Sequence, residues 1–394
     1  MKNTIESKNC HVCGGDQLEV IFEAPALPLT GIYLPKNSSE ILPTFDQLFM
    51  FCRDCGHGQL RHLIAPSVLY DHTYTHRTST SPIATKGNDF FYEQLLKISK
   101  GRKFKTLLEV GCNDLYLLHK TQGLAGKKIG IDPIWVGRDH ELNSSTKVLG
   151  RFIEQIDVKN DIGSRPDLVI SAHTFEHIHD FYGEMSALVD LADDGCLFVI
   201  EIPSFDSLVK QRRFDQVFHQ HIQYTSLSSM RRLVSRLGCS FLGHTFNYGY
   251  WGGTLLFWFE KGSANLNQGH EGFELPNLEV IKKGFVDFKF TIQAAVNQAI
   301  ELKEKCYGFG GAQMLPILAY HMDSNLEFMD AILDDNIERN ETALPGIFPE
   351  IRIAVGGEME NAAIMITALD STRPILQRLL IENPRRIMHP MQCY

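Results

Sequence analysis

The stretch FDQVFHQHIQYTSL, residues 214–227, holds two imidazoles one position apart, His219 and His221. An imidazole titrates near neutrality, so it can take up or hand over a proton during a reaction. No carboxylate separates the pair and no cysteine lies nearby to share a metal, so their purpose depends on what the rest of the chain can hold in front of them. A plainer reading makes them one surface and one core histidine on a loop before a helix. It suits His219 better than His221.

A second set of chemically capable residues is sulfur-based. Cys10-His-Val-Cys13-Gly-Gly and Cys52-Arg-Asp-Cys55-Gly are two CxxC knuckles separated by thirty-eight residues. The glycines permit the tight turn that aims backbone N–H groups at thiolates. Four thiolates complete a tetrahedral zinc and leave no position for water, so the site is expected to be structural. His11 and His57 stand close enough to replace a cysteine, but four cysteines suffice. Ile41 to Phe51 is expected to form a strand between the knuckles.

The remaining polar residues fall at the ends of apolar runs. KTLLEVGCNDLYLLHK carries Glu109, Gly111, Asn113 and Asp114. KKIGIDP ends in Asp132, DLVISAHTFEHIHD closes on His173, Glu176 and His177, and GCLFVIEIP reaches Glu201. Strands alternating with helical stretches indicate an open parallel sheet with ligand at its carboxyl ends. Gly111 would let the backbone approach a ligand, and Asp132 is placed to accept from ribose hydroxyls. Glu176 and His177 are assigned to substrate contacts and His173 to the cofactor; a metal cluster including His179, or an ordinary helix cap, remains an alternative. NYGYWGGTLLFWF, residues 247–259, reads as a turn, with Tyr248 and Trp251, entering a buried hairpin strand.

Glu109-x-Gly111-x-Asn113-Asp114, followed by Asp132 and then a strand ending in Phe175-Glu176-His177, resembles the class I S-adenosylmethionine-dependent methyltransferases. Leu115 stands where those proteins usually have glycine. The wider order is similar to the nucleotide-sugar C-methyltransferases of deoxysugar biosynthesis: two knuckles, Tyr74-Thr-His76-Arg-Thr-Ser79, the methyltransferase motifs, EIPSF, FDQVFHQHIQYTSL, WGGTLLFWFE, then YGFGGA, LDDN and ALPG. The resemblance implies S-adenosylmethionine as cofactor, a structural Zn2+, and a 4-keto-6-deoxysugar on a nucleoside diphosphate as substrate. It places the general base at His221, with His219 and Gln220 beside it in the catalytic segment. Ser79 would join the cofactor site, and His76, Phe218, Tyr224 and Tyr248 the substrate site. Phe218 and Gln220 replace a tyrosine and a glutamate usual in that family, which leaves room for a different sugar or for methylation at oxygen or nitrogen.

Towards the end, Cys306-Tyr-Gly308-Phe-Gly310-Gly311-Ala312 precedes AILDDN at a spacing like a dinucleotide fingerprint, but Gln313 stands at the third glycine. Alone this could mean a nicotinamide-dependent oxidoreductase or isomerase. The resemblance makes it a Rossmann-like holder for the nucleotide sugar, with Gly310 and Gly311 near the diphosphate. A catalytically silent sugar-nucleotide-binding protein is the third alternative.

The expected fold class is therefore α/β in three domains. They are a zinc-binding module over residues 1–75, a methyltransferase domain with a seven-stranded sheet over 76–265, and a Rossmann-like lobe over 266–394. Composition agrees: 44% hydrophobic and 22% charged residues suit a globular chain of this length. A net charge of -9 argues against nucleic acid as main partner. No apolar run is long enough for a membrane, and MKNTIESKNC lacks a signal-peptide core. Nine cysteines, only four of them paired by spacing, suit a reducing compartment, so a cytoplasmic protein is expected; the expected oligomeric state, a monomer, has no sequence signal behind it.

Overall fold

The computed structural model describes residues 4–69, 77–262 and 274–391. His76, expected in the substrate site, lies outside them. Apolar runs that alternate poorly, such as Phe104–Val110 and Leu197–Pro203, are buried on both faces and form the centre of the largest sheet. Its order is Cys239–Asn247, Thr254–Lys261, Leu197–Pro203, Leu168–Ala172, Phe104–Val110, Ala125–Ile131, Thr146–Leu149 and His140–Asn143. The strands from Leu197–Pro203 to Thr146–Leu149 run parallel, and Thr254–Lys261 is antiparallel. Among the described residues this sheet has eight strands, the expected seven and one more. The extra one, His140–Asn143, is a polar edge strand turned back on Thr146–Leu149 by an Asn143 side chain that accepts from the Ser145 N–H.

Parallel strands bring their carboxyl ends to one edge, so Glu109, Asp132, His173 and Glu201 gather there although they are distant in sequence. The helix Pro82–Ser99 flanks this edge. It begins where Ser81 caps the Ala84 N–H and Pro82 supplies a preset first turn.

The strands Leu18–Leu27, Phe45–Cys52 and Gly58–Leu60 form an antiparallel sheet in the N-terminal module. The expected strand at Ile41 starts later, at Phe45, because Pro43 withholds an N–H and Ile41 is almost wholly exposed. Gln223–Tyr224, two residues past His221, adds to this sheet by pairing with Gly58–Leu60.

The third sheet is ordered Arg386–Met388, Ala363–Ile366, Cys306–Phe309, Ala331–Leu333, Ile351–Arg352, Thr342–Ala343 and Leu34–Pro35. Its last member belongs to the N-terminal segment. The helix Leu278–Leu302 is capped by Asn277 and buries Ile281, Gly284, Phe288, Ile292, Val296 and Ala299 along one face. Its apolar side chains share a core with Phe22 and Phe49 of the N-terminal module's sheet, Leu315 and Leu318 of the following helix and Ile332 of the third sheet, so the lobes are packed as one hydrophobic body. No helix among the described residues is long and apolar enough to cross a membrane.

Candidate functional site

The sulfurs of Cys10, Cys13, Cys52 and Cys55 lie within 4.8 Å of one another. Cys10 Sγ is 3.6 Å from Cys55 Sγ, and Cys13 Sγ is 3.5 Å from Cys52 Sγ. Zinc–sulfur bonds of about 2.3 Å put tetrahedral neighbours at roughly these separations, whereas a disulfide needs about 2 Å. The Gly15 N–H points at Cys13 Sγ, 3.4 Å away. Zinc therefore fits these four residues. His11 and His57 turn elsewhere: His11 Nδ1 and His57 Nε2 each lie 3.0 Å from Gln223 Oε1.

At the sheet edge, Gly111 has φ +76°, and a Cβ there would fall 1.8 Å from Thr174 Oγ1, so only glycine fits. Asn113 (φ +43°) and Leu115 (φ +72°) are left-handed as well. Leu115 thus keeps the backbone a glycine would adopt, while its side chain is buried in the core around Leu107, Leu117 and Val148. Asp132 accepts from the N–H groups of Asn113 (2.8 Å) and Ile134 (2.9 Å), which fixes the loop and leaves each oxygen a further lone pair. Ser79 contributes its backbone: its N–H donates to Asp114 Oδ2 at 2.9 Å, while the side chain is exposed.

Carboxyls dominate the electrostatics of this edge, with Lys128 acting against them at Glu109 and Arg77 at Asp132. Burial, then the nearby Asp132 and Asp114, hold the Glu109 carboxyl well above its ordinary pKa, and Glu109 Oε2 is buried without a hydrogen bond among the described residues. Burial also raises Asp132 and Glu201. Converging carboxyls of this kind favour a cationic occupant, and S-adenosylmethionine, with its sulfonium and amino group, fits.

Beside it stands a histidine cluster. Burial pulls the His173 imidazole down, but Glu176 and Glu201 outweigh it and raise the pKa. His173 Nδ1 is 3.3 Å from Glu176 Oε1, and His177 Nε2 is 3.9 Å from the same oxygen. Neither Glu176 oxygen has a well-formed hydrogen bond among the described residues, although the side chain is only 1% exposed. His177 Nδ1 sits 2.8 Å from the Gln220 carbonyl. His221 is buried among Phe218, His177 and Trp251, with ring centroids at 4.3, 4.8 and 5.7 Å. Burial, with His177 and His173 alongside, holds it well below its ordinary pKa, so it is neutral at pH 7.

Several expected site residues have other employment. His219 Nε2 donates to the Leu27 carbonyl at 3.0 Å and Nδ1 faces Gln47 Nε2, so neither nitrogen is left for catalysis. Burial lowers its pKa to about 4. The Gln220 side chain turns to Thr30, accepting from Oγ1 at 3.0 Å and donating to the carbonyl. Only its backbone carbonyl reaches the cluster. The Tyr224 hydroxyl donates to the Gln216 carbonyl and accepts from the Phe218 N–H, which braces the loop. Tyr248 is exposed on the hairpin turn, stacked on Phe246. In the C-terminal lobe, Cβ atoms on Gly310 and Gly311 would meet Ala368 at 2.3 Å and Ile351 at 2.8 Å. The Gly311 N–H already donates to Asp334 Oδ2 at 2.7 Å, so a carboxylate of this chain occupies that donor.

Residues not singled out from sequence also shape the region. Arg213 donates to both oxygens of Asp215 at 2.8 Å and to Asp370 at 2.9 Å, bridging to the third sheet's lobe across a cavity of about 40 Å3. No local motif marks this triad.

Residues 85–242 match the family model described as "Methyltransferase domain". This stretch has the Rossmann-like α/β fold of the class I methyltransferases. Residues 10–70 match the model described as "Putative zinc binding domain", which covers all four cysteines. The chain is 30% identical over 241 residues to the C-methyltransferase NovU of Streptomyces niveus, spanning 58% of this chain and 55% of NovU. The match thus covers little more than half of that curated relative. Together these likenesses support the family expected from the motif order. Among solved structures, the N-methyltransferase NodS of Bradyrhizobium japonicum with S-adenosyl-L-homocysteine is 15% identical, covering 46% of this chain and 89% of that one at a TM-score of 0.37. Magnesium protoporphyrin IX methyltransferase from Synechocystis is 12% identical, covering 48% and 89%, at 0.36.

Proposed function

We propose that the protein transfers a methyl group to a carbon next to the ketone of a nucleoside-diphosphate 4-keto-6-deoxysugar, with His221 as general base. The observation that carries this reading is a neutral, buried imidazole in an aromatic enclosure, on a loop hydrogen-bonded to the turn that ends the Leu168–Ala172 strand: the Ile222 N–H donates to the Glu176 carbonyl at 2.7 Å. S-adenosylmethionine, when bound, supplies the methyl as an electrophile. His221 takes the proton of the carbon acid on its ring nitrogen. Glu176, within 4.8 Å, supplies the negative charge an imidazolium needs in a buried setting. Phe218 and Trp251 exclude water from the imidazole, which keeps it from being solvated and strengthens its interaction with Glu176.

The likeness to NovU supports carbon as the acceptor, and the motif order supports the nucleotide sugar. The substitution of Phe218 for tyrosine removes a donor that could otherwise steady the enolate oxygen, so this chain relies on histidine N–H groups or backbone for that task. The test is incubation with donor labelled at its methyl with carbon-13 and a panel of nucleoside-diphosphate 4-keto-6-deoxysugars. The expected product has a methyl resonance coupled to a ring carbon. A methyl attached to oxygen or nitrogen, or no transfer to any member of the panel, would refute the proposal.

A further inference from the structure

Glu176, His177 and His221 bring one carboxylate oxygen and two ring nitrogens within 4.8 Å of one another. Their surroundings are those of a coordination site. The Gln220 carbonyl can only accept, so the 2.8 Å contact fixes the proton on His177 Nδ1 and turns the Nε2 lone pair towards Glu176 Oε1, 3.9 Å away. A backbone carbonyl behind the distal nitrogen is the usual orienting partner of a metal-binding imidazole. Glu176 itself is buried with neither oxygen in a well-formed hydrogen bond among the described residues. His173 Nδ1 faces Oε1 at 3.3 Å without good hydrogen-bond geometry, and a buried carboxylate with its remaining lone pairs unmet leaves room for a cation. Metal–nitrogen and metal–oxygen bonds of about 2.0–2.1 Å place tetrahedral donors roughly 3.3 Å apart, so side-chain adjustments of about an ångström close the set.

We propose that Glu176, His177 and His221 form a second metal site, separate from the four-cysteine centre, that takes a divalent transition cation such as Zn2+, Co2+ or Ni2+. Two imidazoles with one carboxylate select these ions over Mg2+ and Ca2+, which favour oxygen donors. Three protein ligands leave a fourth position open. The consequence rests on the base role proposed above: a lone pair committed to a cation cannot take a proton, so occupancy of this site stops the reaction. Free divalent metal is then an inhibitor, while the zinc at the cysteines is required.

The test uses the full chain carrying zinc at its cysteines, titrated with Co2+. A second equivalent should bind with visible d–d absorption but without the near-ultraviolet charge-transfer bands of thiolate ligands, and turnover should fall over the same Co2+ range. Glu176→Gln and His221→Ala should each weaken this second binding at least tenfold. Retention of the cysteine-bound zinc and of S-adenosylhomocysteine binding in each variant shows that it is folded. A metal content that stays at one per chain in millimolar Co2+ overturns the site, as does a second equivalent indifferent to both substitutions. The spectrum is read without turnover: a second equivalent that obeys the variants, in a protein inert towards every keto sugar, upholds the site and refutes the function proposed above.

Discussion

His57 Nε2 lies 3.0 Å from Gln223 Oε1, and both residues are fully buried. His57 is two residues beyond Cys55 and Gln223 two residues beyond His221, so this contact couples the four-cysteine module to the loop that carries His221. Backbone pairing reinforces it, with the Leu60 N–H donating to the Ile222 carbonyl at 3.0 Å. Zinc is therefore remote in chemistry but close in mechanics.

Removing that zinc, by chelation or by Cys55→Ser, should lower turnover at least tenfold, because the strand that follows His221 loses its support. The donor edge is built on the other sheet, so the affinity for S-adenosylhomocysteine should change less than about threefold. Calorimetry on the zinc-depleted protein makes the comparison. Equal loss of both would show that the module supports the whole fold rather than the loop.

Leu115 sets burial against backbone strain. A left-handed leucine costs on the order of 1 kcal/mol, while truncating a buried leucine costs roughly 2–5 kcal/mol. Leu115→Ala should therefore destabilise the protein by about 2–4 kcal/mol in urea unfolding. Leu115→Gly should be no worse, despite the smaller side chain, because it relieves the φ of +72°.

His321 is buried against Phe22, Phe285, Phe288 and Tyr320, and neither ring nitrogen has a hydrogen bond among the described residues. Burial first, then Lys289, lowers its pKa to about 3. The unfolded chain binds a proton near pH 6.5 that the folded one refuses, so His321's contribution to stability is complete above about pH 6.5 and is lost as pH falls towards 3. His321→Phe should flatten the decline of the unfolding midpoint between pH 6.5 and 4. An unchanged slope would assign that decline to other groups.

Arg213, with its two carboxylate partners, joins the lobes through buried charge. Arg213→Met strands Asp215 and Asp370 and should cost about 3–5 kcal/mol in equilibrium unfolding. A loss under 1 kcal/mol would show that the aspartates find other partners or water.

The parts of this architecture that were legible in the sequence are those encoded locally. CxxC spacing and acids at the ends of apolar runs report backbone turns that neighbouring residues determine, so the cysteine cluster and the Glu109–Asp132 edge were found from them. The two-residue pairings of Leu34–Pro35 and Gln223–Tyr224 were not, because so short a segment carries no periodicity and depends on distant partners. The same limit explains Gln220 and Tyr224. Their positions beside His221 suggested chemistry, but long-range packing turned the Gln220 amide to Thr30 and the Tyr224 hydroxyl to Gln216. Asp334 meets the Gly311 N–H for a comparable reason: the glycine turn and the acid at the end of AILDDN are both visible in the sequence, but their contact is not.

The central claim is that His221 removes a proton from carbon. Proton exchange tests it most directly. In D2O, a nucleoside-diphosphate 4-keto-6-deoxysugar incubated with the protein and S-adenosylhomocysteine should lose its proton resonance at the carbon beside the ketone. His221→Ala should slow that exchange by about 10²–10⁴-fold while S-adenosylhomocysteine binding is preserved. Exchange at the parent rate in the variant, or methyl transfer by the parent protein with no exchange at carbon, would contradict the account.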